Sequence, residues 1–173
     1  MSPPEAITGH YIDVKGTRTF YDEIGDGKPL VCVHTAGASS LEYHLALPLY
    51  ASQGFHVFAL DLPGHSRSYP VNWTQHRSIH QHAEFVHEFV LALGLDDPVI
   101  TGCSIGGDIT FDYAVNHWRD MAAGIPMEGL GRSPTFPCPD SLVHPAWAPG
   151  WQDMIERAAV ESLGRNVSEE KQN

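Results

Sequence analysis

The sequence predicts an α/β fold, with helices on both faces of a mostly parallel sheet. Short, continuous apolar segments, which are typical of strands buried on both faces, alternate with longer segments of helical period. Three of the apolar segments also end in polar turns, at 34–37, 61–68 and 102–107. Strands that alternate with helices favour a parallel sheet, and such sheets carry their sites at the carboxyl ends of the strands.

The chain opens with three predicted strands. Residues 9–16 and 18–24 both alternate polar with apolar side chains, and the short connection near Lys15 and Gly16 favours an antiparallel pair. Residues 29–33, Pro-Leu-Val-Cys-Val, form a continuous apolar run and predict a strand buried on both faces.

A helix and another strand follow. Ser39 or Ser40 is placed to cap a helix that continues to about Gln53, with leucines at 41, 45, 47 and 49 among its apolar positions. Residues 55–60 predict a second buried strand, which leads directly into the polar turn at 61–68.

The later elements repeat the alternation. Residues 77–93 have helical period, and Gly94 is placed to end that helix. Residues 98–101 predict a strand, residues 108–117 a helix, and residues 121–128 one more strand.

Composition limits the classes of protein. The chain has 173 residues, which favours a single domain, and a net charge of −11, which argues against nucleic-acid or anionic-membrane partners. It contains no apolar run approaching the roughly 18 residues of a membrane span. Three cysteines without a disulfide framework, and an N-terminus without signal-peptide character, predict a cytoplasmic location.

The sharpest local signal is Gly102-Cys-Ser-Ile-Gly-Gly, which lies between a predicted strand and a predicted helix. In that context the turn is so tight that Ser104 must occupy strained backbone, and the small residues Gly102 and Gly106 let strand and helix pass closely. The serine oxygen then lies above the helix N-terminus, where backbone N–H groups can stabilise an oxyanion. A chance Gly/Ser turn is the alternative for this pattern taken alone.

Three segments in this order resemble the α/β-hydrolase superfamily, over residues 9–128. His34-Thr-Ala-Gly resembles its His-Gly oxyanion loop, with Thr35 in place of the commoner glycine. Asp61-Leu-Pro-Gly-His-Ser-Arg-Ser resembles its Asp-x-Pro-Gly-His-Gly-x-Ser loop, with Ser66 in place of glycine. Gly102-Cys-Ser-Ile-Gly-Gly resembles its nucleophile elbow. The resemblance implies the α/β-hydrolase core as the fold.

The resemblance also implies roles for individual residues. Ser104 is the expected nucleophile, and the N–H groups of Ile105 and of Ala36 (or Thr35) are the expected oxyanion hole. Met127-Glu128-Gly129 resembles a segment of some haloalkane dehalogenases that carries the triad acid, so Glu128 is a candidate for that acid. The alternative is that Glu128 is solvated or anchors a cap.

The family's base histidine comes late, after the last strand, and the sequence contains no counterpart. At about 30 residues per βα unit, roughly two or three units are expected to be absent. Residues 1–128 are therefore predicted to form the N-terminal part of the core, and residues 129–173 the start of a cap region with a frayed end. A second chain that supplies the C-terminal strands is one possible partner.

The remaining candidates belong to the pocket. His34 resembles a structural histidine of the family's loop, whose ring nitrogens tie loops together, and it is expected beside the pocket. Phe136, Trp147 and Trp151 are expected to line an apolar acyl pocket, with simple cap packing as the alternative. His76 and His80 have the i, i+4 spacing of a metal pair, but no third ligand is evident. No metal and no cofactor is therefore predicted.

The predicted function is a serine hydrolase that acts on a small acyl substrate: a carboxylic ester, lactone, thioester or similar compound. A serine nucleophile in place of aspartate weighs against the dehalogenase and epoxide-hydrolase branches of the family. Because a serine hydroxyl is a weak nucleophile without a base, this chain alone is expected to be inactive. The alternative is a non-catalytic, truncated relative that binds a ligand or a protein.

Overall fold

The computed structural model describes residues 6–72 and 78–129, which form a single sheet with helices on both faces. The strands, in chain order, are β1 Thr8–Val14, β2 Thr17–Ile24, β3 Lys28–Val33, β4 Phe55–Leu60, β5 Val99–Cys103 and β6 Ala123–Met127. The α-helices are α1 Leu47–Ser52, α2 Ile79–Leu93 and α3 Ile105–Asn116, and short 3-10 helices span Ser40–Tyr43 and Trp118–Asp120.

The six strands lie in the order β1-β2-β4-β3-β5-β6. The pairs β1/β2 and β2/β4 are antiparallel, whereas β4/β3, β3/β5 and β5/β6 are parallel. The direction of strand progression reverses at β3, so the carboxyl ends of β3 and β5 flank the switch point where open α/β sheets bind ligands. The predicted fold class is confirmed.

Alternate residues of the central strands enter different cores, as strands covered on both faces require. One core packs with α2 and α3 and includes Val31, Val33, Phe58, Leu60 and Ile100. The other packs with α1 and includes Leu30, Cys32, Val57, Ala59 and Val99. Helices on both faces were the sequence expectation.

α2 begins at Ile79, two residues after the predicted start at 77, and ends before Gly94 as predicted. The Ser78 hydroxyl accepts a hydrogen bond from the N–H of Gln81 and caps the first turn. Gly94 adopts the left-handed conformation (φ 64°, ψ 32°) that lets the chain leave the helix.

The single helix predicted from Ser39 or Ser40 to Gln53 is wrong. Ser39 does cap a helical turn, but that turn is a 3-10 helix of four residues, and the six-residue α1 begins separately at Leu47. The reason is Pro48, which has no N–H to donate and whose ring clashes with a preceding carbonyl inside a helix. Leu47 is buried as expected, whereas the leucines at 41, 45 and 49 are exposed.

β6 is the predicted strand at 121–128, and it forms one edge of the described sheet. All five of its residues are exposed, and it contains Pro126, which an edge strand accommodates because it need not donate on both sides. No helix in the described parts of the chain is both long and apolar enough to cross a bilayer. The predicted boundary at 128/129 adjoins residues 130–173, which lie outside the described residues.

Candidate active site

Ser104 occupies a sharp turn between β5 and α3. Its backbone angles are φ 55° and ψ −118°, a conformation that non-glycine residues rarely adopt and that costs about 1–3 kcal/mol. The side chain is exposed and makes no capping hydrogen bond to α3. The serine hydroxyl is therefore presented outward, as the sequence motif predicts.

Glycines surround this turn because neighbouring backbone leaves no room for a side chain. A Cβ on Gly102 would collide with the backbone of Gly106, and a Cβ on Gly106 would collide with the carbonyl of Val33. The turn is held further by hydrogen bonds from the Ser104 N–H to the Met127 carbonyl (2.9 Å) and from the Asp108 N–H to the Ser104 carbonyl (3.0 Å). β3, β5, β6 and α3 thus fix the position of the serine together.

His34 follows β3 and is fully buried. Its Nε2 accepts a hydrogen bond from the Leu62 N–H (3.0 Å), so its proton lies on Nδ1, which donates to the Thr35 carbonyl (2.7 Å). Burial, with a smaller contribution from His65, lowers the pKa of His34 to about 4. The expectation that this ring ties two loops together is confirmed; its place beside a substrate pocket stays a prediction.

The loop after β4 is organised by a buried carboxylate. Asp61 accepts hydrogen bonds from the Ser40 N–H (2.8 Å) and from the N–H (3.1 Å) and Nε (3.0 Å) of Arg67. Burial alone would raise the pKa of Asp61, but these hydrogen bonds outweigh it and the pKa is lowered. The Ser68 hydroxyl donates to the Asp61 carbonyl (2.7 Å) and accepts from the Phe20 N–H (2.9 Å). The Asp-x-Pro-Gly-His loop is therefore a scaffold that joins β2, β4 and the turn after β3.

The two alternative oxyanion donors of the first loop differ in their hydrogen bonding. The Thr35 N–H donates to the Glu42 carboxylate at 2.8 Å. In contrast, no acceptor among the described residues bonds to the N–H of Ala36 or to that of Ile105 at the start of α3. Sequence reasoning missed Glu42 because it lies in a segment expected to be an ordinary helix turn.

Glu128 immediately follows β6, and the pairing of Cys103 with Met127 brings it to the same edge of the sheet as Ser104. The Cys103 thiol donates to Glu128 Oε2 at 3.7 Å. Desolvation, together with the negative charge of Glu128, raises the pKa of Cys103. Glu128 is thus directed at the residue before the nucleophile, and its role as triad acid stays a prediction.

The comparison with protein families agrees with this geometry. Residues 28–164 match the model of the alpha/beta hydrolase fold, which is well over half of the chain. The chain belongs to the α/β-hydrolase family. This membership supports the resemblance inferred from the elbow, the His34 loop and the Asp61 loop.

Relatives of this chain include several kinds of hydrolase. It is 29% identical over 132 residues to a 2-hydroxy-6-oxo-6-(2'-aminophenyl)hexa-2,4-dienoic acid hydrolase of Metapseudomonas resinovorans, covering 73% of this chain and 44% of the relative. It is 31% identical over 157 residues to a soluble epoxide hydrolase of Corynebacterium sp. (strain C12), covering 82% of this chain and 53% of the relative. The chain thus spans about half the length of these curated relatives.

Solved structures give the same family. An epoxide hydrolase without ligand matches with a TM-score of 0.62 and 33% identity, over 67% of this chain and 40% of that structure. An N-acyl homoserine lactonase complexed with N-hexanoyl homoserine matches with a TM-score of 0.62 and 27% identity, over 67% and 42%. Phe136, Trp147 and Trp151, which were predicted to line an acyl pocket, lie outside the described residues.

Proposed function

We propose that this chain carries the nucleophile of a serine hydrolase for a carboxylic ester, lactone, thioester or similar acyl substrate. The single observation that supports it most is Ser104, exposed and held at φ 55° in the turn between β5 and α3. Backbone strain of this kind is retained where it has a function, and here it presents a hydroxyl beside a helix N-terminus.

The chemistry of a serine nucleophile favours acyl substrates over epoxides and haloalkanes, although several relatives are named for those substrates. Attack of Ser104 Oγ on a carbonyl carbon forms an acyl-enzyme ester, which water can hydrolyse to regenerate the hydroxyl. Attack on an epoxide or haloalkane carbon would form an ether, which offers no carbonyl for water to attack. Turnover with serine therefore requires an acyl group.

Two backbone N–H groups are proposed to stabilise the tetrahedral intermediate: those of Ile105 and Ala36. Ala36 is preferred to Thr35 because the Thr35 N–H already donates to the Glu42 carboxylate. Fixed donors of this kind contribute about 3–4 kcal/mol each to transition-state stabilisation.

A base must take the Ser104 proton as the oxygen attacks, and we propose an imidazole held between Ser104 and Glu128. The imidazole later returns the proton to the leaving group, while Glu128 fixes its tautomer and stabilises the imidazolium. The source of this imidazole is proposed to be sequence beyond residues 1–173 or a second chain, since the family places it after the last strand.

The test uses a fluorophosphonate probe on the full-length natural protein and on variants of it. Ser104→Ala is expected to abolish labelling, because the probe's phosphorus bonds to Oγ. Glu128→Gln is expected to keep the fold and to lower the labelling rate by up to about 10⁴-fold, as loss of an orienting carboxylate does. The readouts are labelling rate and the mass of the labelled peptide.

The matched control for these variants is Cys103→Ala, which removes the neighbouring nucleophilic atom and is expected to keep labelling. Labelling that survives Ser104→Ala would remove Ser104 from the mechanism. A folded wild-type protein that the probe never labels would favour the non-catalytic binding module instead. Unchanged labelling in Glu128→Gln would place the triad acid elsewhere.

A further inference from the structure

A second cluster of chemistry-bearing side chains lies where α2 meets the end of α3. His87 projects from α2, His117 ends α3, and Asp120 lies on the 3-10 helix that follows. The two imidazole rings stack with centroids 3.8 Å apart and an interplanar angle of 12°. One ligand atom from each of the three residues lies within 4.8 Å of the others.

This cluster is separate from the predicted catalytic site. Ser104 precedes the first residue of α3, and His117 follows its last. A 12-residue helix is about 18 Å long, so the two sites lie at opposite ends of the same element.

The outer hydrogen bonds of both rings match those of metal-binding histidines. Nδ1 of His87 lies 3.2 Å from the Tyr113 hydroxyl, and Nε2 of His117 lies 2.7 Å from the Glu84 carboxylate. In metal sites, the ring nitrogen that does not bind the ion is characteristically held by a carboxylate or another polar group, which fixes the ring's orientation. Here these contacts leave the second nitrogen of each ring, Nε2 of His87 and Nδ1 of His117, to act as ligands.

We propose that His87, His117 and Asp120 bind a divalent d-block cation, with Zn²⁺ as the best match to two imidazoles and one carboxylate. Ligands at about 2.0–2.2 Å in a tetrahedral site lie about 3.4 Å apart, so the two nearly parallel rings must tilt out of their stack to direct a nitrogen of each at one ion. Asp120 is exposed and can make such a rotation. Water would hold the fourth position.

Electrostatics and architecture agree with a bound cation. Glu84 and Glu88, both on α2, place further negative charge near His87, within a chain whose net charge is −11. The ion would join α2 to the turn after α3 and would stabilise the packing of both helices on the sheet, because it binds only the folded arrangement. Its role is structural, independent of the proposed hydrolase reaction.

The test is isothermal titration calorimetry of the tag-free, chelator-treated protein with ZnCl₂. We expect one tight equivalent per chain, with affinity at least tenfold weaker in His87→Gln and His117→Gln. Asp120→Asn, a change at an exposed position, is expected to weaken binding several-fold without affecting folding. His80→Gln is the matched control: it removes another histidine of α2, one paired with Asp112, and should leave affinity unchanged.

Two further measurements test whether the bound ion stabilises the fold and whether two nitrogen atoms bind it. ZnCl₂ at about 100 times its dissociation constant should raise the wild-type Tm by about 5 °C or more, but not that of His117→Gln. Cu²⁺ bound to the wild type should show an electron paramagnetic resonance pattern of two nitrogen ligands. No binding at millimolar ZnCl₂, or undiminished binding in Asp120→Asn and both folded histidine variants, would overturn the proposal.

Discussion

At the scale of single residues, the candidate site depends on backbone groups whose hydrogen-bond partners or close neighbours are fixed by the fold. Ser104 could be predicted from the sequence, because Gly102 and Gly106 fit only a turn in which strand and helix nearly touch. Glu42 could not be predicted, since its bond to the Thr35 N–H depends on how the chain folds back after β3. A sequence pattern shows which backbone conformation a residue must adopt. It does not show which residues contact each other across a loop.

The Glu42 carboxylate leads to a prediction about charge. It lies near enough to the elbow to contribute to the raised pKa of Cys103, so it opposes negative charge that develops beside Ser104. Glu42→Gln keeps an acceptor for the Thr35 N–H and removes the charge. We expect probe labelling of Ser104 to become about 2–5 times faster, corresponding to a Coulomb term of about 0.5–1 kcal/mol at an exposed position.

Ionic strength provides the control for that prediction. Added salt screens exposed charges, so the rate advantage of Glu42→Gln should shrink between low salt and about 1 M salt. Glu42→Ala, which also removes the acceptor, should label no faster than Glu42→Gln. A Gln variant slower than the wild type would show that the carboxylate assists the reaction.

His34 leads to a prediction about pH. Its pKa of about 4 lies below the usual 6.5. Between pH 4 and pH 6.5, His34 therefore binds a proton in the unfolded chain but not in the folded chain. The free energy of unfolding is therefore unaffected by the titration of His34 above pH 6.5. As pH falls towards 4 it decreases by about 1.4 kcal/mol per pH unit, and by about 3 kcal/mol in total. Urea unfolding at pH 7 and pH 4.5 should show this decrease.

The protonation state of His34 can be observed directly. Nitrogen-15 NMR at pH 5.5 should detect a neutral ring with its proton on Nδ1, because Nε2 accepts from the Leu62 N–H. An imidazolium signal from His34 at that pH would contradict both the lowered pKa and the tautomer.

At the scale of elements, the sequence predicted strands and α2 well but predicted one helix wrongly. α2 was predicted from the helical period of its apolar residues and from Gly94, which ends it. Between residues 39 and 53 the leucine spacing indicated a helix, yet Pro48 divides the segment into a 3-10 helix and a short α1. Periodicity therefore failed where one residue without an N–H decided the outcome.

The contact between α3 and β3 gives a prediction about stability. Alanine is a better helix former than glycine, yet in Gly106→Ala the new Cβ would meet the Val33 carbonyl oxygen. We expect unfolding free energy to fall by at least about 3 kcal/mol, because rigid backbone cannot make room. The measurement is urea denaturation monitored by circular dichroism.

Gly94→Ala is the control for Gly106→Ala. Gly94 has φ +64° but nothing lies within 4 Å of a Cβ placed there, so only backbone strain of about 1–2 kcal/mol is expected. Equal losses in the two variants would mean that α3 shifts away from β3 at little cost, contrary to a tightly fixed elbow.

At the scale of the whole molecule, topology explains what the sequence could and could not predict about the sites. Parallel strands bring their carboxyl ends to one edge, so the turns after β3, β4 and β5 were predictable neighbours. The cluster of His87 and His117 was not, because it depends on the relative position of two helices that are 12 or more residues apart in sequence. The order of the strands fixes which turns are neighbours. The relative position of two helices depends on how their side chains pack, which the sequence pattern does not show.

The surface around α1 gives the last prediction. Leucines at 41, 45 and 49 are 57%, 92% and 66% exposed, on the face of the sheet opposite α2. Exposed apolar side chains favour association, because burying one leucine against another molecule stabilises the contact by about 1.5–3 kcal/mol. We expect the 173-residue chain to self-associate with increasing concentration, and Leu45→Glu to weaken association at least tenfold in sedimentation velocity.

Leu91→Glu, at an exposed leucine of α2, should leave association unchanged. A wild type that stays monomeric at about 100 µM, or equal effects of the two variants, would show that this leucine surface does not mediate association.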